Sequence, residues 1–121
     1  MRGAKDTMPA ECQPGVVYAI GCKDCPKIYI GETTRTPRQH VKEHREHIRK
    51  GAGKKSAVAE HVLETTHAIH WQARVISKEQ HMTRRKAIEA LAIQRIGRKS
   101  GTLMNLDKGM ELSNIWLNLD Q

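Results

Sequence analysis

Two tyrosines, Tyr18 in Gly15-Val16-Val17-Tyr18 and Tyr29 in Tyr29-Ile30-Gly31, stand eleven positions apart with Cys22 and Cys25 between them. Each lies in a short run rich in β-branched and aromatic residues, and Gly21-Cys22-Lys23-Asp24-Cys25-Pro26 between the runs is dense in turn formers. The pattern predicts a β-hairpin, Val16 to Gly21 and Lys27 to Gly31, with both cysteines at its tip. The chain has no Phe, and its aromatics are Tyr18, Tyr29, Trp71 and Trp116. The core must therefore be built from Ile, Leu, Val, Ala and Met, and a tyrosine placed outside it stands out. A phenol ionises near pH 10 and is an uncommon catalytic group. Two on neighbouring strands beside a basic helix suggest chemistry on a polyanion.

With 121 residues the chain is expected to form one domain, 14–121, after an irregular leader, 1–13. Its formal net charge of +8 favours an acidic partner, because clustered Lys and Arg displace counterions from phosphates. A membrane partner is not expected: the sequence has no long apolar run, no lipidation signature and no signal-peptide core after Met1. A small-molecule substrate is not expected either. Three cysteines without a secretory signal point to a reducing compartment, where C-x-x-C reads as a metal site or a redox pair. Cys12, upstream in a Pro-bounded segment, reads as a plain thiol.

Beyond the hairpin, Thr36-Pro37-Arg38-Gln39 carries a cap, a first-turn proline and a capping-box Gln, so a helix is predicted over 37–50, stopped by Gly51. His40, His44 and His47 fall on one face of it. Ser56 can cap a second helix to about Thr66 with Val58, Val62 and Leu63 as its apolar face. Trp71 to Ser77 reads as a third strand, and Glu79 to Arg98 as a helix burying Ile88, Leu91, Ala92 and Ile96. Leu103 to Leu106 and Leu112 to Leu119 are expected to pack back as a loop and a short terminal element. The order β-β-α-α-β-α is an α+β arrangement, a small three-stranded antiparallel sheet flanked by helices.

Together the Val16-Val17-Tyr18 and Tyr29-Ile30-Gly31 pair, the basic helix with Val41-Lys42-Glu43-His44, Glu89 in Ala87-Ile88-Glu89-Ala90-Leu91, and Asn105-Leu106-Asp107 resemble the GIY-YIG nuclease superfamily. The likeness spans about residues 15 to 115. Within it, the chain is most similar to the endonuclease domain of Penelope-like retroelements, which carry a Cys-Cys-His-His set, here Cys22, Cys25, His61 and His67. Thiolate and imidazole are the preferred zinc ligands, and C-x2-C with H-x5-H suits each half of a tetrahedral site. The thirty-five residues between Cys25 and His61 exclude a small finger and require a zinc clamp between the first hairpin and the second helix. His70 stands as an alternative to His67.

The resemblance also implies the chemistry, DNA phosphodiester cleavage. Glu89 would hold one divalent ion, Mg2+ or Mn2+; Tyr18 would be the general base, its pKa lowered by a cationic setting; Tyr29 and His44 would orient groups or relay protons; Asn105 would lie near the scissile group. One departure stands out: where the family has an arginine one turn before His44, this chain has His40. An arginine keeps its charge and its planar fork at pH 7, whereas a histidine is largely neutral there. Either Arg38 or Arg35 reaches the site from a shifted position, or His40 is a natural replacement that weakens cleavage, or the change was engineered to disable the enzyme. Duplex DNA is expected to meet Arg35, Arg38, Lys42, Arg45, Lys54, Lys55, Arg84 and Arg85, mainly through phosphates. A retroelement origin implies fusion to a reverse transcriptase, work in the nucleus, and a nick that primes reverse transcription. The rivals are a catalytically weakened or inactive DNA-binding module on the same fold and a zinc-stabilised protein-interaction module.

Overall fold

The computed structural model describes residues 9–97 and 101–105. Strands β1 (Val16–Cys22) and β2 (Ile28–Thr33) are followed by helices α1 (Pro37–Arg49) and α2 (Ala57–Thr65), strand β3 (Ile69–Lys78) and helix α3 (Met82–Gly97). Single 3-10 turns precede β1, at Ala10–Cys12, and α2, at Gly53–Lys55. The first of these lies in the segment expected to be irregular and packs against β3 and α1. The strands form one antiparallel sheet in the order β2-β1-β3, so the fold is the expected α+β layer arrangement.

The central strand carries the core on both faces. Val16, Tyr18 and Ile20 point to one side, against Ala57 and Val58 of α2, Ile69 and Ala73 of β3, and Met104. Val17 points to the other, against Ile30, Ile93 of α3 and Leu103. The period-2 alternation of a strand thus sorts α1 and α2 to the tyrosine side and α3 to the opposite side.

Local chemistry sets the helix ends. Thr36 and Gln39 form the reciprocal capping box with Pro37 in the first turn, and Ser56 Oγ accepts from the Ala59 N–H at the start of α2. After Lys50, Gly51 takes φ +68°, the left-handed step that ends α1.

Two apolar expectations are corrected. Leu63 is 43% exposed and Leu91 is 48% exposed, whereas Ala90 and Ile93 are buried. Helix α3 touches one face of the sheet along a narrow stripe through Arg85 and Ile93, and Leu91 lies about 200° around the helix from Ile93. Leu112 to Leu119 lie outside the described residues, as do Leu106 and Asp107.

The segment 102–105 runs beside the β2 edge, with the Ile28 N–H donating to Thr102 O at 3.0 Å and the Met104 N–H to Ile28 O at 2.8 Å. Asn105 extends this pairing with its side chain. Its Oδ1 accepts from the Ile30 N–H at 3.0 Å, and its Nδ2 donates to Ile30 O at 2.8 Å.

Candidate active site and metal centre

Tyr18 and Tyr29 sit on adjacent strands of the hairpin and share the face covered by α1. Their rings meet edge to face at 6.2 Å. Gly31 pairs with Tyr18 across the ladder, and a Cβ on it would stand 2.8 Å from the Tyr18 ring and hydroxyl and 2.8 Å from the Tyr29 ring. The glycine of Tyr29-Ile30-Gly31 therefore makes room for one phenol to lie over the strand that carries the other.

Helix α1 closes this pair from above. The Tyr18 hydroxyl and His40 Nδ1 are hydrogen-bonded at 2.8 Å, and the Tyr29 and His44 rings lie edge to face at 5.1 Å. His44 is 8% exposed and its Nδ1 is 2.5 Å from Ser56 Oγ; its Nε2 is buried with no hydrogen-bond partner among the described residues. His47, the third member of the stripe, is half-buried, and its Nδ1 has no hydrogen-bond partner among the described residues.

Glu89 approaches from α3. Burial, with the charge of Glu32, raises its carboxyl to about 7, although Lys86 and Arg85 pull the other way. It forms no hydrogen bond or ion pair among the described residues, which suits a single hard divalent cation bound through one carboxylate. Burial, reinforced by Tyr29 and Glu89, pushes the Tyr18 phenol far above its ordinary value. Burial and Glu89 raise Tyr29 to about 12. The expectation of a Tyr18 phenol lowered by a cationic setting is thus not met by the protein's own groups. Burial, with His40 and His47, lowers His44 to about 4, and burial foremost lowers His40, so both imidazoles are neutral at pH 7.

Among the described residues neither arginine proposed to stand in at the His40 position bonds to a phenol, although the charge of Arg35 acts on His40. Arg35 pairs with Glu43 at 2.5 Å and Arg38 with Glu11 at 3.3 Å, both near solvent. Arg38, Lys42 and Arg45 lie on the flank of α1 facing β3. There Arg45 sits 5.4 Å over the Trp71 ring and all three line a groove with Trp71 and Glu11. Lys54, Lys55 and Arg84 are exposed. Arg85 is a correction to the phosphate-gripping set. It is 1% exposed; Nε donates to Glu32 at 2.6 Å, Nη2 to Thr34 Oγ1 at 2.8 Å, and Nη1 to the Glu79 and Gln80 carbonyls. Each of its three side-chain nitrogens is bound to the fold. Asn105 is likewise occupied, since both ends of its amide are spent on Ile30. Sequence reasoning missed Glu32, whose role depends on a partner fifty-three positions away. It noted Ser56 only as a cap, and no local signal ties that hydroxyl to His44.

The second constellation lies at the hairpin tip. Cys22, Cys25, His61 and His67 place one ligand atom each within 4.8 Å of one another and could hold a metal ion. Cys22 Sγ is 3.5 Å from His67 Nδ1 and Cys25 Sγ is 3.5 Å from His61 Nε2. Bonds of about 2.3 Å to sulfur and about 2.1 Å to nitrogen in a tetrahedron space the two donors about 3.6 Å apart, so the donor set fits zinc. His70 is exposed and outside the group, which decides for His67. The surrounding backbone braces the site: the Asp24 N–H points at Cys22 Sγ at 3.4 Å, and Asp24 Oδ2 accepts from the Ala68 N–H at 2.8 Å. Thr66, at φ +61°, turns the chain so that His67 returns to the tip.

A phenol pair under a histidine-bearing helix, a desolvated carboxylate beside it and exposed cations around it define a compact α+β nuclease domain. The GIY-YIG catalytic domain matches residues 14–90, more than half of the chain, and the chain belongs to the GIY-YIG family. Domains of this family are typically metal-dependent endonucleases with DNA as substrate. No curated protein and no solved structure matches the chain.

Proposed function

We propose that this chain is a DNA endonuclease that hydrolyses phosphodiester bonds, by nicking or by cutting, with one divalent ion, Mg2+ or Mn2+, and with Zn2+ as a structural metal. The observation that carries the reading is the meeting of Tyr18, Tyr29, His40 and His44 on one side of the hairpin, where the charge of Glu89 acts on both phenols. Glu89 would hold the divalent ion, which supplies positive charge at the phosphoryl group when bound. Tyr18 would act as the general base: its phenol proton would pass to His40 Nδ1, 2.8 Å from the hydroxyl, and the phenolate would then take a proton from the attacking water. Tyr29 buttresses the Tyr18 ring, and His44 packs on Tyr29. Lys42, Arg45, Lys54, Lys55 and Arg84 would grip phosphates, giving salt-sensitive binding with little base readout.

The Cys22-Cys25-His61-His67 set within a GIY-YIG hairpin supports the finer reading, a Penelope-like retroelement endonuclease. On that reading the domain is fused to or acts with a reverse transcriptase in the nucleus, and its nick primes reverse transcription. A second reading, a weakened or inactive DNA-binding module, is favoured by one observation: His40 brings no charge to the place where the family has arginine. Supercoiled plasmid incubated with Mg2+ or Mn2+ separates the two. Metal-dependent nicking by the parent and none by Glu89→Ala is the expected result, and binding without nicking by either protein would establish the second reading.

A further inference from the structure

Ser56 performs two tasks with one hydroxyl, and the second bears on the reaction. Its oxygen accepts from the Ala59 N–H at 3.2 Å, which caps α2. The same oxygen lies 2.5 Å from His44 Nδ1. Ser56 is 6% exposed and His44 is 8% exposed, so bulk water does not complete their hydrogen bonding. A hydroxyl carries one proton, and a backbone N–H cannot accept it. Among the described residues, His44 Nδ1 is the only acceptor within reach of the Ser56 proton.

We infer that Ser56 is a positioning residue for the nuclease reaction: by donating to His44 Nδ1, it holds the imidazole as the neutral Nε2–H form and makes it a fixed hydrogen-bond donor. If Nδ1 carried the proton instead, Ser56 Oγ would accept twice and its own buried proton would have no acceptor. If both ring nitrogens carried protons, a charged ring would face His40 and His47 with Nε2 unpartnered, and Glu43 would be its one acidic neighbour; burial opposes this form. In the Nε2–H form, the buried Nε2 holds a proton with no hydrogen-bond partner among the described residues, on a ring packed against Tyr29 and His40. Such a group can give a hydrogen bond to a phenol or phosphate oxygen as negative charge gathers there, and it cannot take a proton from either. His44 then stabilises charge, and proton relay falls to other groups.

The inference rests on the nuclease reading for its purpose, but its test does not. Long-range 1H–15N correlation spectra of the whole domain at pH 7 report which ring nitrogen of His44 is protonated. A protonated Nε2 with a bare Nδ1 is expected, and a protonated Nδ1 or an imidazolium overturns the assignment whether or not the protein nicks DNA. Two isosteric variants then test the purpose. Asparagine and aspartate both cap helices well. Ser56→Asn can still donate to Nδ1, whereas the carboxylate of Ser56→Asp can only accept and forces the proton onto Nδ1. Plasmid nicking by Ser56→Asn should exceed that by Ser56→Asp about tenfold or more, with the His44 tautomer switched only in the aspartate variant. Equal nicking by the two with a switched tautomer would show that Ser56 serves the fold alone. A parent that fails to nick would overturn the proposed function and, with it, the role of Ser56 in catalysis.

Discussion

At the scale of single residues, the site is defined by what burial does to ionisable groups. His44 is neutral in the fold because burial lowers it to about 4, whereas the unfolded chain protonates it near pH 6.5. Between these values the unfolded state binds the extra proton, so stability is complete above pH 6.5 and falls as pH drops toward 4. The loss should be about 2–3 kcal/mol. Urea melts across this window should show it, and His44→Gln should flatten the slope; an unchanged slope would place the acid sensitivity elsewhere. His40 poses the opposite problem, a neutral group against a phenol that the protein's own groups hold far from ionisation. An arginine there would lower the phenol and offer a fork to phosphate, so His40→Arg should raise the single-turnover cleavage rate about tenfold or more, short of the roughly 10²–10³ that one oxyanion-hole donor supplies. Equal rates for the two proteins on the same duplex would exclude a penalty from His40. Gly31 is the third such position. Its α-hydrogen faces both phenols where any Cβ would sit at 2.8 Å, so Gly31→Ala should displace the rings and cost about 1–3 kcal/mol, read by chemical melts.

Between elements, legibility follows the range of the interaction. The starts of α1 and α2 could be read from sequence because Thr36, Pro37, Gln39 and Ser56 act on backbone groups three residues away. The strands extend beyond their expected ends because a ladder is closed by its partner: Cys22 pairs with Ile69 and Thr33 with Val16. The buried stripe of α3 could not be read from hydrophobicity because its first inward residue is a cation. Arg85 counts as surface charge in any linear reading until Glu32 of β2 arrives opposite it. Burial of that pair makes it sensitive to one-sided truncation. Arg85→Ala leaves the half-buried Glu32 carboxylate with the exposed Lys86, at 3.3 Å, as its remaining cation and should cost about 2–4 kcal/mol, whereas replacing Arg85 and Glu32 together with apolar residues should cost less. A double-mutant cycle on thermal stability measures the difference; additive losses would mean that the two charges do not act as a pair. The metal set was legible residue by residue, and only the fold could choose His67 over His70, because the choice turns on the left-handed step at Thr66.

For the whole molecule, the question is what holds so small and aromatic-poor a domain together. The core is split between the two faces of a three-stranded sheet, and on the tyrosine side part of its area is given to Tyr18, whose hydroxyl is held by His40. The hairpin tip meets α2 and the start of β3 through the Cys22-Cys25-His61-His67 group, together with the Asp24 to Ala68 and Lys23 to Ala68 hydrogen bonds. A metal there joins positions thirty-six apart, Cys25 and His61, as a cross-link would. By loop-closure arithmetic such a cross-link is worth about 3–4 kcal/mol, and metal–ligand bonding adds to it. Protein purified without added zinc should therefore contain about one zinc per chain, the number one tetrahedral site holds. Stripping it with a chelator, or Cys22→Ser, should lower the melting temperature by about 10–20 °C, since 1 kcal/mol moves a domain of this size by about 3–5 °C. Tyr18 and the tip belong to the same strand, so loss of the metal should also slow nicking in the presence of saturating Mg2+. A chelator-treated protein that melts within about 2 °C of the parent would mean that the four residues form a cluster without a structural metal and that the hairpin stands on its strand pairing alone.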